Sequence, residues 1–170
     1  MDLKEHPIYV ETQYFRQVWW VMFLILGAAA LMWWGFIQQI VFGQPWGTNP
    51  APDWMMWPLL LLIGIGLPLL FYYMGLVVEV HGDQLLIRYI PLSQRSIDWD
   101  EINVVGVQTY QPIRQFGGWG IRGRGHQRAY SVTGDRAVEL TLNDGQHILI
   151  GSQNPQDLAL AIESQLAARK

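Results

Sequence analysis

The 170-residue chain has no cysteine. This excludes disulfides, thiolate metal sites and thiol nucleophiles together, and is compatible with a cytoplasmic location without requiring one. Basic residues are missing over a long interval: from Gln17 to Leu86 there is no Lys or Arg. A third gap runs from Glu101 to Asp135, where no acidic residue interrupts a stretch that holds Arg114, Arg122, Arg124 and Arg128. Catalytic signatures are thin as well. His6, His81, His126 and His147 are scattered without metal-ligand spacing, and no Ser sits in a G-x-S-x-G elbow. Asp98-Trp99-Asp100-Glu101 is the one carboxylate cluster. Read as a strand, it places Asp98 and Asp100 on one face and Trp99 on the other, which describes solvated carboxylates beside a buried indole and needs no metal. A formal net charge of −3 argues against a globally basic nucleic-acid binder. The expectation is a non-enzymatic protein with no cofactor, metal site, nucleic acid or identified small-molecule substrate.

Two uncharged apolar runs fill the interval without basic residues, about 18–42 and 54–74. At about 1.5 Å rise per residue each is long enough to cross a hydrocarbon core of about 30 Å. Gly27-Ala28-Ala29-Ala30 resembles a signal cleavage site, but the leading segment carries Asp2, Glu5 and Glu11 against Lys4 and Arg16. The apolar run also continues past the alanines, so an anchor is expected instead. The intervening linker, 43–53, holds three prolines and two glycines and must turn the chain. Two of the eleven basic residues precede the first run and nine follow the second. The preference of basic residues for the cytoplasmic side therefore predicts an inner-membrane, multi-pass protein with both termini inside. On this reading 1–17 is a cytoplasmic segment, 18–74 a transmembrane hairpin and 76–170 a cytoplasmic domain. Trp19, Trp20, Tyr72 and Tyr73 mark the inner interface and Trp46, Trp54 and Trp57 the outer one. Trp33 and Trp34 lie deep in the first run and call for a packing partner, while Gln38 and Gln39 are its strong polar groups.

From Leu76 the period becomes alternating. Seven strands are expected: 76–81, 84–90, 97–102, 104–110, 128–132, 137–142 and 147–150. The turns at Thr133-Gly134-Asp135 and Asn143-Asp144-Gly145 read as hairpins. Asn154-Pro155-Gln156-Asp157 opens a helix to about Ala168, with Leu158, Ile162 and Leu166 on one face and Arg169 and Lys170 at its negative end.

The residues Gly117-Gly118-Trp119-Gly120-Ile121-Arg122-Gly123, Val138-Glu139-Leu140, His147 to Gly151 and Asn154 to Leu158 resemble bacterial membrane-anchored proteins with a pleckstrin-homology-like domain. The resemblance implies an α+β membrane protein: a two-helix transmembrane hairpin followed by a seven-stranded antiparallel barrel capped by a C-terminal helix. It carries no activity and no ligand residues, because such folds host many functions. The stretch 111–125, with its glycines, arginines, Phe116 and Trp119, reads as a long loop. In an up-and-down meander it faces the membrane together with Arg95, while Asp83, Asp100, Glu101 and Asp135 face away. The binding residues expected are Arg95, Arg114, Phe116, Trp119, Arg122, Arg124 and Arg128, which would meet anionic inner-leaflet lipids. The alternative is an accessory subunit that uses the Trp-rich hairpin and the same loop against another membrane protein or a second copy of itself.

Overall fold

A computed structural model describes residues 6–169. The chain is α+β and forms two units: Tyr14–Met74, and the residues up to Gln13 joined with those from Gly75 onward.

The helical unit contains α1 (Trp19–Phe36), prolonged by a π-helical turn Ile37–Val41, and a second rod made of α2 (Asp53–Leu59), a π-helical stretch Leu60–Gly66 and α3 (Leu67–Tyr73). The two rods, Trp19–Val41 and Asp53–Tyr73, are 23 and 21 residues long, long and apolar enough to cross a membrane. Their seam repeats every third or fourth residue: Met32, Phe36 and Ile40 meet Met56, Leu60 and Ile63. Phe36 stands edge-on to Trp57 with ring centroids 4.9 Å apart.

Trp33 finds the partner that its depth demands. Its indole Nε1–H donates to the carbonyl of Gly64 at 3.2 Å. Pro68 stands four residues beyond Gly64 and has no N–H to give that carbonyl in an α-helical register, and the indole donates to it across the seam. Gly64 gives the indole room: a Cβ there would lie 2.8 Å from the Leu60 Cδ1 methyl and 3.2 Å from the Trp33 nitrogen, so a larger residue requires those side chains to shift. Gln39 is similarly committed: its amide donates to the Ala51 carbonyl at 2.6 Å and to Asp53 at 2.8 Å, tying the linker to the start of α2.

The β unit has nine described strands in two sheets. The four-stranded sheet runs β1 (Tyr9–Tyr14), β2 (Gly75–Val80), β3 (Gln84–Ile90), β4 (Ser93–Asp98). The five-stranded sheet contains β5 (Ile102–Thr109), β6 (Gly120–Arg124), β7 (Gln127–Ser131), β8 (Arg136–Leu142) and β9 (His147–Gly151), in the order β5-β8-β9-β7-β6. Alternation works as expected in β3, where Leu85, Ile87 and Tyr89 are buried and their neighbours are not. In β8 the alternation holds from Val138 through Leu140 to Leu142, with Ala137 buried as well. The C-terminal helix α5 (Pro155–Ala167) packs on β5 and β8 with Leu158 and Ile162 fully buried. Arg169 beyond its end donates to the Gly82 carbonyl, and Lys170 lies outside the described residues.

Several expectations are corrected. No closed seven-stranded antiparallel barrel forms. Two strands absent from that reading are present, β1 and β6, and β9 inserts between β8 and β7, pairing with β7 in parallel through Gln127↔His147 to Tyr130↔Ile150. Thr133-Gly134-Asp135 therefore connects strands that are not neighbours, whereas Asn143-Asp144-Gly145 does close a hairpin between β8 and β9. The strand expected at 97–102 stops at Asp98 because residues Trp99–Glu101 turn as a short 3-10 helix. That turn takes Asp100 off the strand while Trp99 stays buried, its Nε1–H donating to the Gly82 carbonyl at 3.2 Å.

The segment 1–17, read as separate, instead supplies β1. One face of β1 is polar and buried. Glu11 is 8% exposed and accepts four hydrogen bonds: from Ser152 Oγ and the Gln153 N–H at 2.6 Å each, from Gln13 Nε2 at 2.9 Å and from Tyr9 at 3.0 Å. Gln13 also donates to the Gly151 carbonyl at 2.9 Å. Both oxygens of a buried carboxylate are thus satisfied by the junction of β9 and α5. Replacing Glu11 with Ala strands several donors at once and is expected to destabilise by about 2–3 kcal/mol, against about 1 kcal/mol for Ser152→Ala. Thermal melts of the detergent-solubilised chain should rank them in that order.

Candidate functional site

The Gly- and Arg-rich stretch is built, not loose. After β5, Pro112 opens the short helix α4 (Pro112–Phe116), where its missing N–H costs nothing. Gly117, at φ 72°, closes the helix, and the Gly117 and Gly118 amides return to the Ile113 and Pro112 carbonyls at 3.0 Å. Phe116 turns inward onto Tyr110, Ala129, Ala137 and Leu149, its ring edge-on to Tyr110 at 6.1 Å. Residues Gly120–Arg124 then form β6, an edge strand paired with β7. Gly123 is required there, because at φ 121° a Cβ would sit 2.1 Å from the Gln127 carbonyl oxygen.

The extra strand inverts the expected alternation of turns. The basal end of the β unit can be defined by Gln13 and Gly75, where the chain passes out of β1 and into β2. Gly75 pairs with Ile90, Gln13 reaches Gly151, the Tyr89 hydroxyl donates to the Ser131 carbonyl at 3.2 Å, and Ser131 pairs with Gly120. Trp119 and Arg122 belong to this end. The Trp119 indole donates to the Gly134 carbonyl at 2.9 Å, and Arg122 Nε donates to the Trp119 carbonyl at 3.1 Å. The Gly134-Asp135 turn is therefore beside Trp119, not at the far end, and the expected separation of basic from acidic turns does not extend to Asp135. Exposed Leu92 follows Ile90-Pro91 at the same end.

The remaining site residues divide. Arg114 is exposed on α4. Arg124 pairs with Gln127 at the hairpin's opposite end. Arg128 lies on β7 in register with Ile148 and borders a cleft of about 300 Å³ that also involves Gln108, Gln115, Phe116, Glu139 and His147. In it, His147 Nδ1 and Glu139 are 3.1 Å apart, a pair that residues eight apart in sequence gave no reason to expect. Arg95 sits within β4 and donates to Gln146 in the β8–β9 turn at 3.0 Å. Asn143 bonds the Asp100 carbonyl in that same far region. Trp119 and Arg122 are thus brought together, while Arg95, Arg124 and Arg128 are elsewhere. Among the described residues no group of three or more His, Asp or Glu side chains converges as a metal site.

Tyr89 links the basal residues to the core. Burial pushes its hydroxyl well above the usual tyrosine range, with Arg122 opposing slightly. Burial likewise raises Tyr110, and burial beside Glu11 raises Tyr9. These groups favour the protonated form in the folded state, so their stabilisation is complete below pH 10 and is lost as pH rises through the elevated folded values. Melting temperature is expected to be level up to about pH 9 and to fall above pH 10. The Tyr89→Phe variant, with one fewer titrating group, should show a shallower alkaline decline.

The chain matches a family described as a family of unknown function (DUF6141) over residues 4–169. No curated protein matches it. Since that alignment takes in both the helical rods and the β unit, the chain belongs to the family of unknown function DUF6141.

Proposed function

We propose that this chain is a non-catalytic, membrane-anchored binding protein. The rods Trp19–Val41 and Asp53–Tyr73 cross the inner membrane as a hairpin with both termini cytoplasmic. The β unit engages anionic headgroups of the inner leaflet through Trp119, Arg122 and Arg114. The observation that carries this reading is internal to the β unit: its two connections to the rods, at Gln13 and Gly75, lie on adjacent strands at the end that also holds Trp119 and Arg122.

Other features support the membrane assignment. Phe23, Leu24, Leu31, Trp34, Leu61 and Leu62 are all more than 60% exposed, a surface that water would penalise and acyl chains would not. The seven aromatic anchors Trp19, Trp20, Trp46, Trp54, Trp57, Tyr72 and Tyr73 are exposed as well, near the ends of the rods and in the linker. Two juxtamembrane arginines contribute about 1 kcal/mol each near an anionic surface. That is too little to recruit a free protein and enough to orient one whose tether already sets a high effective concentration.

The absence of native cysteine makes labelling direct. In intact cells, a membrane-impermeant maleimide should label Thr48→Cys in the linker and leave Glu163→Cys in α5 untouched until lysis; the reverse pattern would overturn the topology. For the surface, Ile113→Cys, exposed on α4, carries an environment-sensitive dye in lipid nanodiscs. Its emission should shift to the blue in phosphatidylglycerol discs, less so in phosphatidylcholine discs, and the shift should fall with salt and in an Arg114→Gln/Arg122→Gln variant. No lipid dependence, together with a stoichiometric protein retained through mild purification, would favour the accessory-subunit reading.

A further inference from the structure

Arg16 lies outside the surface just described, and its surroundings are unusual. It belongs to a short 3-10 turn, Phe15–Gln17, between β1 and α1. The turn is fixed on both sides: Phe15 and Val18 are buried, the Phe15 N–H donates to the Met74 carbonyl at 3.0 Å, the Val18 N–H returns to the Phe15 carbonyl at 2.9 Å, and the Phe15 ring stands edge-on to Phe71 at 5.6 Å. Between these buried anchors Arg16 and Gln17 face outward. Gln17 is occupied, its Oε1 accepting the Tyr14 N–H at 3.2 Å.

The Arg16 guanidinium rests against two aromatic rings, 4.3 Å from the centroid of Tyr14 and 5.2 Å from that of Tyr72. Tyr72 is in turn edge-on to Tyr73 at 5.2 Å. A cation–π contact takes up no acceptor oxygen, so the N–H donors of the guanidinium are still able to bond an oxyanion. Among the described residues no carboxylate is within ion-pairing reach of Arg16, and its side chain makes no hydrogen bond. An exposed cation held against two rings, with no counter-ion among the described residues, is preorganised for an external oxyanion. Exposed Trp19, Trp20 and Tyr73 are close in sequence to Arg16 or Tyr72. Tyrosine and tryptophan of this kind favour the headgroup level of a bilayer, where the abundant oxyanion is the lipid phosphodiester.

We infer that Arg16, held between Tyr14 and Tyr72, is a binding site for the phosphate of one inner-leaflet phospholipid at the foot of the helical hairpin. The inference rests on the membrane reading above but not on the Trp119–Arg122 surface. The guanidinium engages the phosphate through its N–H donors, and the two rings restrict the side chain so that little freedom remains to be lost on binding. Lysine would keep the charge and lose both the planar donors and much of the stacking, so it is a poor substitute.

The test uses the full chain, delipidated in mild detergent and titrated with phosphatidylglycerol or with a phosphate-free diacylglycerol glycolipid. Binding is followed by native mass spectrometry and by the lipid-induced rise in melting temperature. Wild type should retain one phosphatidylglycerol in preference to the glycolipid. Arg16→Gln should bind it about tenfold more weakly, as expected for the loss of a charge-assisted contact, and Arg16→Lys should fall between. Tyr72→Phe, which keeps the ring, should match wild type, whereas Tyr72→Leu should resemble Arg16→Gln. Equal retention of phosphatidylglycerol by wild type and Arg16→Gln, or equal affinity of wild type for the glycolipid, would overturn the site. The Thr48 and Glu163 labelling pattern is read separately on the same variants, so a wrong topology is distinguished from a wrong lipid site.

Discussion

The fold turns on a single buried carboxylate. Glu11 brings four donors from β1 and from the β9–α5 junction into one cluster, and by doing so makes the residues before the first apolar rod part of the β unit. Without that clasp β1 would be a polar edge strand with little apolar area to hold it, since its inward positions are Tyr9, Glu11 and Gln13. With it, β1 pairs beside β2, and the chain departs for the helices and returns from them on neighbouring strands.

That arrangement gives the basal end of the β unit its character. Tyr89 donates to Ser131, Gln13 to Gly151, Trp119 to Gly134 and Arg122 to the Trp119 carbonyl. Each bond joins segments far apart in sequence or fixes the edge strand that carries the arginine. In the proposed role the positive charge needed at a headgroup surface is small, because tethering removes most of the translational cost of binding. What matters is where a few arginines are held, and Arg122 by its carbonyl contact and Arg16 by its two rings are both held. Arg95 and Arg128, with similar charge, are directed to a turn amide and to a cleft on the five-stranded sheet.

Much of this was legible in the residues. The two apolar rods appeared within a residue or two of their bounds because twenty uncharged apolar residues leave little latitude in register. β2, β3, β8, β9 and α5 followed from alternation, turn residues and the Asn-Pro-x-Asp opening. β1 was hidden because its buried face is polar: Tyr9-Val10-Glu11-Thr12-Gln13 reads as a strand with its apolar side facing out. β6 was hidden because three of the residues in Gly120-Ile121-Arg122-Gly123-Arg124 and the turn after it are glycine, which weakens strand propensity and mimics a loop. Missing one strand reverses every later turn, so the expected separation of arginines from acidic turns could not survive. Trp33 was recognised as needing a partner, yet the partner is the Gly64 carbonyl on the opposite helix, which no local pattern reports.

By itself the sequence determined the helical hairpin, the switch to alternating strands and the capping helix, since these depend on local hydrophobic period and on backbone constraints at proline and glycine. Only the tertiary structure decided that the N-terminal residues join the sheet, that β9 separates β7 from β8, and which arginines share an end of the molecule. Those outcomes depend on long-range hydrogen bonds to a buried carboxylate and on strand pairing between distant segments, where the energy of a residue is set by its partners and not by its neighbours in the chain.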